Sequence, residues 1–318
     1  MKNIYISQIK AGDKVNDLFL VEEKNLAFSQ KGSPYLSLRL KDKTGQLDGR
    51  VWDNASSLDK VFKKGDIIHI QSRAVSFKGV IQLSIIDVRT ATSEEMIWEA
   101  FLPTVKGDID AMYAELTALA GQVVAPHLKA LLEAFFTDEE IASLFRRAPA
   151  AKGFHHVNIG GLLEHTLSVT KLLTMVADHY PKSNRDLLIV GGILHDIGKI
   201  REFTYQGNID YSDEGRLIGH IVIGLEMLDE KIMTIPDFPS KLAMELRHLI
   251  LSHHGVLEFG SPKRPKTVEA MIVHQIDDMD AKVNAFQEYI AGSEDSDSDW
   301  TPFHRLFERY IYKGSSIE

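Results

Sequence analysis

Tyr35-Leu36-Ser37-Leu38-Arg39-Leu40, followed by Leu47-Asp48-Gly49-Arg50-Val51-Trp52, places apolar and polar side chains in alternation along two short runs. A period of two is that of a strand with one face buried and one wet. Lys43-Thr44-Gly45 between the runs supplies a tight turn. Working outward, Asp53 to Lys60 reads as a short helix, Asp66 to Ala74 as a further strand, and Phe77-Lys78-Gly79 as a turn into a last strand, Val80 to Val88. An opening strand near Val15 to Val21 completes three strands, a helix and two strands.

That order predicts a five-stranded OB-type β-barrel over residues 1–92, a fold that commonly binds single strands. From about Ser93 the periodicity becomes helical, with a small excursion at Phe203 to Tyr211, so residues 93–318 are expected to be an all-α domain. The fold class is thus α+β multidomain. Thr137 with Glu140 has the spacing of a capping box, and Asn158 is placed to cap a helix running through His165 toward Tyr180. Further helices are expected from Pro239 to His253 and from Thr267 to Ile290, with Gly292 to Asp299 as an acidic loop between the last two helices.

A chain of 318 residues with 44% hydrophobic content has ample apolar surface for two cores. Its start lacks an apolar run of signal-peptide length, and no stretch suits a membrane span, which predicts a cytoplasmic protein without a membrane partner. With no cysteine there is no disulfide framework, no thiolate zinc site and no cysteine nucleophile. The net charge of −9 hides an asymmetry: residues 1–90 carry 15 Lys+Arg against 10 Asp+Glu, and the remainder 21 against 35. A basic module precedes an acidic one, and the excess of positive charge on the first reads either as a solvated surface or as a phosphate-binding face.

The chemistry concentrates at Leu194-His195-Asp196-Ile197-Gly198-Lys199, where a long apolar helix ends in adjacent imidazole and carboxylate. Gly198 is expected to let the backbone turn, leaving Lys199 free to meet a phosphate. Alone the dipeptide says little, but His165, His220, His253 and His254 also sit in apolar helical segments, where a buried imidazole needs a partner. Asp277-Asp278-Met279-Asp280 adds carboxylates; one position of that run is expected to face the core, leaving Asp278 and Asp280 on a solvated face.

A His/Asp set suits divalent Mn, with Mg, Fe or Zn as alternatives, in one or two ions per chain. Asp196 has two oxygens and can bridge a pair of ions, with His165, His195 and Asp277 on the first and His220, His253 and His254 available to the second. Two such ions clamp the attacking water and the phosphate oxygens of an in-line displacement.

The pattern His165, His195-Asp196, Asp277 resembles the HD superfamily of metal-dependent phosphohydrolases, named for those ligands. The barrel ahead of it, Phe154-His155-His156 before Gly160-Gly161-Leu162-Leu163-Glu164-His165-Thr166, and the terminal Trp300-Thr301-Pro302-Phe303-His304-Arg305 and Tyr312-Lys313-Gly314 resemble the YhaM-type 3′-to-5′ exoribonucleases. The resemblance implies manganese-stimulated degradation of single-stranded RNA to nucleoside 5′-monophosphates; single-stranded DNA and a homo-oligomeric state are compatible with it.

Asp196, Lys199 and His156 are the expected catalytic residues. Tyr35, Trp52 and Phe77 are candidates for stacking bases, and Lys31, Arg39, Arg50, Arg73 and Lys78 for meeting phosphates. Two other readings compete: a phosphodiesterase for a small nucleotide with a regulatory barrel, and a non-catalytic nucleic-acid-binding protein with a structural metal.

Overall fold

The computed structural model describes residues 2–29, 31–95, 98–102, 104–151, 158–204, 209–293 and 298–314. The chain divides into two compact units, Met1–Thr104 with Thr204–Asp210, and Val105–Phe203 with Tyr211–Glu318.

The first unit is built on β1 (Lys14–Phe28), β2 (Pro34–Asp42), β3 (Gly45–Val51), a one-turn helix α1 (Ala55–Leu58), β4 (Ile67–Phe77) and β5 (Val80–Thr90). The strands close into a barrel in the order β1-β2-β3-β5-β4. β1 is long because it serves two neighbours: Lys14 to Leu20 pair with β4, and Leu20 to Phe28 with β2. A register shift between Val21 and Glu23 marks the bend between those halves. Leu36, Leu38 and Leu40 of β2 are buried as the alternation requires, and meet Phe19, Val51, Ile70 and Leu83 in the barrel core. Lys78 (φ 53°) and Gly79 (φ 83°) join β4 to β5 with both residues left-handed, the two-residue turn whose twist matches the strands it joins.

The second unit is helical, beginning with α2 (Ile109–Ala120), α3 (Pro126–Phe136), α4 (Glu139–Arg147), α5 (Gly161–His179), α6 (Arg185–Leu194) and α7 (Lys199–Glu202); a two-stranded ribbon, β6 (Phe203–Thr204) with β7 (Asp210–Tyr211), follows where the chain leaves this unit and returns to it. α8 (Asp213–Leu217), α9 (His220–Met233), α10 (Ser240–Ser252) and α11 (Val268–Ala291) follow. α6 is buried all round from Leu187 to Leu194, the pattern of a central helix, and packs on α5, α10 and α11. Each of its fully buried Leu and Ile side chains contributes about 2 kcal/mol of transfer free energy. None of the described helices is long and apolar enough to cross a membrane.

Three local expectations are corrected. α4 is capped by Asp138, which accepts from Glu140 N and Ile141 N, while Thr137 closes α3. α5 is preceded by Gly160 in the left-handed region (φ 83°), not capped by Asn158: the chain enters the helix beside Val105 and Ile109, where a β-carbon would crowd them. No helix among the described residues follows α11; residues 298–314 instead fold back as a hairpin with bridges Trp300–Tyr312 and His304–Arg309.

Candidate metal centre

Five helical segments converge. α5 brings His165; the turn after α6 brings His195 and Asp196; the first residue of α9 is His220; the turn after α10 brings His253 and His254; and α11 brings Asp277. Their donor atoms form two groups, each within 4.8 Å: His165, His195, Asp196 and Asp277, and Asp196, His220, His253 and His254. Asp196 belongs to both. Its Oδ2 lies 3.4 Å from His195 Nε2 and 3.7 Å from His165 Nε2, and its Oδ1 lies 3.5 Å from His220 Nε2 and 3.4 Å from His253 Nε2.

Four of the five imidazoles are oriented from behind. Nδ1–H donates from His165 to Asp280 Oδ2 (2.8 Å), from His195 to Gly192 O (2.9 Å), from His220 to Glu202 Oε1 (2.9 Å) and from His253 to Ile250 O (2.7 Å). All four therefore direct Nε2 into the cluster, the tautomer a metal requires. Asp196 Oδ1, His220 Nε2 and His253 Nε2 are buried without any hydrogen-bond partner. Buried acceptors left unsatisfied cost about 1–3 kcal/mol each, and a divalent cation is the species that would satisfy all three at once. The donor set of imidazole nitrogen and carboxylate oxygen fits such an ion.

Asp280 and Glu202 were not singled out by sequence reasoning. Asp280 is buried beneath His165 rather than solvated, and the signal was present: it lies three residues after Asp277, hence on the same face of α11. Asp278, with its Oδ2 2.6 Å from Lys282 Nζ, is the member of the run that points outward. Glu202, also buried, accepts from both the backbone N–H and Nδ1–H of His220. Asp280→Ala is expected to weaken Mn²⁺ binding about 10- to 100-fold, and Asp280→Asn, which keeps an acceptor, to recover part of it; titration of the metal into the three proteins reads this, and equal affinities would remove the orienting role.

Lys199 is corrected in one respect. Its ammonium is not free but donates to Asp196 Oδ2 at 2.6 Å, with the side chain mostly buried. Burial opposes its charge, but the Asp196 carboxylate outweighs burial and raises its pKa. Burial would likewise lower His195, yet Asp196 and Asp277 hold it up to about 10; His165 is raised in the same way by Asp277 and Asp280. Despite their own burial, Asp196 and Asp277 are held well below the ordinary carboxylate range by the surrounding cations, Lys199 first for Asp196. Without a metal the cluster thus keeps protons on imidazoles between carboxylates. A cation entering must expel them, so affinity should tighten as pH rises toward the raised histidine values. Calorimetric titration of Mn²⁺ near neutral pH in buffers of different ionisation enthalpy should register proton release; heats independent of buffer would contradict it.

His155 and His156 lie outside the described residues. On the barrel, Tyr35 and Trp52 stack at 4.8 Å between ring centroids, and Trp52 is 52% exposed. Arg50 faces Ser37 of β2 and Ser84 of β5, and Ser84 faces Arg73 of β4, so one row crosses the outer face. Arg39 and Arg50 flank Asp48 at 3.4 and 3.7 Å. Phe77 and Lys78 sit apart at the β4–β5 turn, both exposed, and Lys31 is exposed beyond the end of β1. A groove of about 670 Å³ between α5 and α11, lined by Val176, Tyr180, Met271 and Ile272, contains no part of the His/Asp cluster.

Residues 162–282 match the HD domain family. The chain is 35% identical over 276 residues to the 3′-5′ exoribonuclease YhaM of Listeria monocytogenes serotype 4b (strain CLIP80459), covering 86% of this chain and 87% of that one. It is 32% identical over 284 residues to 3′-5′ exoribonuclease YhaM of Bacillus subtilis (strain 168), covering 89% of each. The solved second OB-fold domain of replication protein A from Methanococcus maripaludis is similar over 29% of this chain and 96% of that domain, at 23% identity and a TM-score of 0.24.

Proposed function

Because this chain belongs to the 3′-5′ exoribonuclease YhaM family, we propose that it hydrolyses single-stranded RNA from the 3′ end, releasing nucleoside 5′-monophosphates in the cytoplasm. The observation that carries the reading is the pair of donor groups sharing Asp196 at the junction of five helical segments. His165, His195, Asp196 and Asp277 would hold one divalent ion, and Asp196 with His220, His253 and His254 a second; Mn²⁺ is the ion we favour, with Mg²⁺, Fe²⁺ or Zn²⁺ as alternatives. When bound, such ions supply Lewis-acid stabilisation of the charge that builds on a phosphodiester under attack by water.

The residues themselves do the rest. The Nδ1–H anchors fix the imidazoles before substrate arrives, so little reorganisation accompanies reaction. Lys199, bonded to Asp196 Oδ2, would exchange that carboxylate for a phosphate oxygen. His156 is proposed to meet the scissile phosphate or the leaving group. Residues 1–92 are proposed to bind the strand, with Tyr35, Trp52 and Phe77 stacking bases and Arg39, Arg50, Arg73 and Lys78 meeting phosphates, while residues 93–318 cut it.

The test uses purified full-length protein, Mn²⁺ and single-stranded RNA labelled at either end. Expected are immediate release of labelled mononucleotide from the 3′-labelled strand and progressive shortening of the 5′-labelled one. Internal fragments, or turnover confined to a cyclic dinucleotide, would overturn the proposal. Trp52→Ala should raise KM for long RNA about tenfold and leave kcat on a dinucleotide unchanged.

A further inference from the structure

Resting on the reading that single-stranded RNA is the substrate, we propose that the hairpin of residues 298–314 is an exosite, where exposed aromatic rings stack bases of the strand remote from the metal centre.

The hairpin is firmly built on one side. Thr301 and Ile311 are buried and bonded to each other, Thr301 N–H to Ile311 O at 2.9 Å and Ile311 N–H to Thr301 Oγ1 at 3.1 Å. Lys313 N–H donates to Asp299 O (2.8 Å), and the Tyr289 hydroxyl of α11 donates to Pro302 O (3.3 Å). Phe307 packs on Phe286 of α11, centroids 4.7 Å apart.

The alternation that buries Thr301 and Ile311 turns their sequence neighbours Trp300, Tyr310 and Tyr312 outward, and Phe303, where the chain leaves the paired stretch, is exposed beside Tyr310. Trp300 and Tyr312 form a cross-strand pair with centroids 5.0 Å apart, and Phe303 and Tyr310 a second at 5.3 Å. These four rings are 51%, 53%, 47% and 61% exposed, an arrangement with no role in the hairpin's own core. Trp and Tyr combine a stacking face with a polar edge, which suits a nucleobase.

Charge selects the occupant. The segment carries Arg305, Arg309 and Lys313 against Asp299 and Glu308, within a region of the chain where acidic residues outnumber basic ones 35 to 21. Rings interleaved with cations match bases on a phosphate backbone.

Position makes this a separate site. Phe286, which anchors the hairpin, lies nine residues after Asp277 on α11. At about 3.6 residues per turn that is two and a half turns, so the hairpin sits on the side of the helix away from the cluster. It would engage bases of a long strand and have no access to a dinucleotide in the metal cleft.

The test compares full-length wild type, Trp300→Ala/Tyr310→Ala, Tyr310→Phe and Arg305→Gln. Binding of fluorescent long single-stranded RNA is followed by anisotropy in EDTA, where no cleavage occurs, and dinucleotide hydrolysis is followed with Mn²⁺. The double variant should bind long RNA at least tenfold more weakly yet hydrolyse the dinucleotide at the wild-type rate, which also reports that it is folded. Tyr310→Phe, which keeps the ring, should bind as wild type does. Arg305→Gln should lower the slope of log affinity against log salt by about 0.7. Unchanged affinity in the double variant would overturn the exosite, as would wild-type dimers in light scattering that the double substitution dissociates. Failure of the exoribonuclease reading is distinguishable, because it would appear as wild-type protein that binds RNA but releases no mononucleotide.

Discussion

Asp196→Asn is expected to lower RNA turnover on the order of a thousandfold, equivalent to about 4 kcal/mol of transition-state stabilisation. Among the described residues, Asp196 is the one common to both donor groups and the only carboxylate in the second. Its replacement leaves His220, His253 and His254 with no carboxylate among them to offset a dication, and takes a carboxylate oxygen from the first group as well. The amide nearly matches the carboxylate in shape, so the helix ends can stay where they are. Lys199 loses the partner that holds its charge, and its pKa should fall as burial takes over. Single-turnover rates with Mn²⁺ and metal content after dialysis measure the effect together. A variant with wild-type rate and full metal content would remove Asp196 from the centre.

Gly198→Ala should be as damaging by a different route. Gly198 has ordinary helical dihedrals (φ −62°, ψ −19°), so the sequence-level idea that glycine is there to let the chain turn is not the reason for it. A β-carbon at Gly198 would lie 2.0 Å from His220 O and 2.6 Å from Gly224 N, both backbone atoms of α9. No rotamer relieves that overlap; α7 and α9 must separate. The cost should be about 3 kcal/mol or more of stability, at or beyond the upper end for overpacking. The same separation draws His220 away from Asp196 Oδ1, now 3.5 Å distant, and loosens the Glu202 anchor. Thermal unfolding with and without Mn²⁺ should show a lowered midpoint and a reduced gain from the metal. An unchanged midpoint would mean that the two helices are not closely apposed at this point.

The sequence by itself determined most of the elements and the chemistry available to them. Alternation at Tyr35 to Leu40 specified a strand because side chains of a pleated backbone point to opposite faces, and the apolar run before His195 specified a buried helix. Absence of cysteine left only imidazole and carboxylate as metal ligands. Tertiary structure alone decided which of those groups meet. His253 and His254 could not be ranked along the chain, and both reach the cluster because a turn, unlike a helix face, can present adjacent side chains together. Asp280 passed for a solvated acid until α5 was seen to lay His165 over it, and Gly198 for a hinge until α9 was seen against it. Local periodicity reports which side of an element is buried; the identity of the partner across the gap depends on residues far away in sequence, and orientation, pKa and close approach follow from that partner.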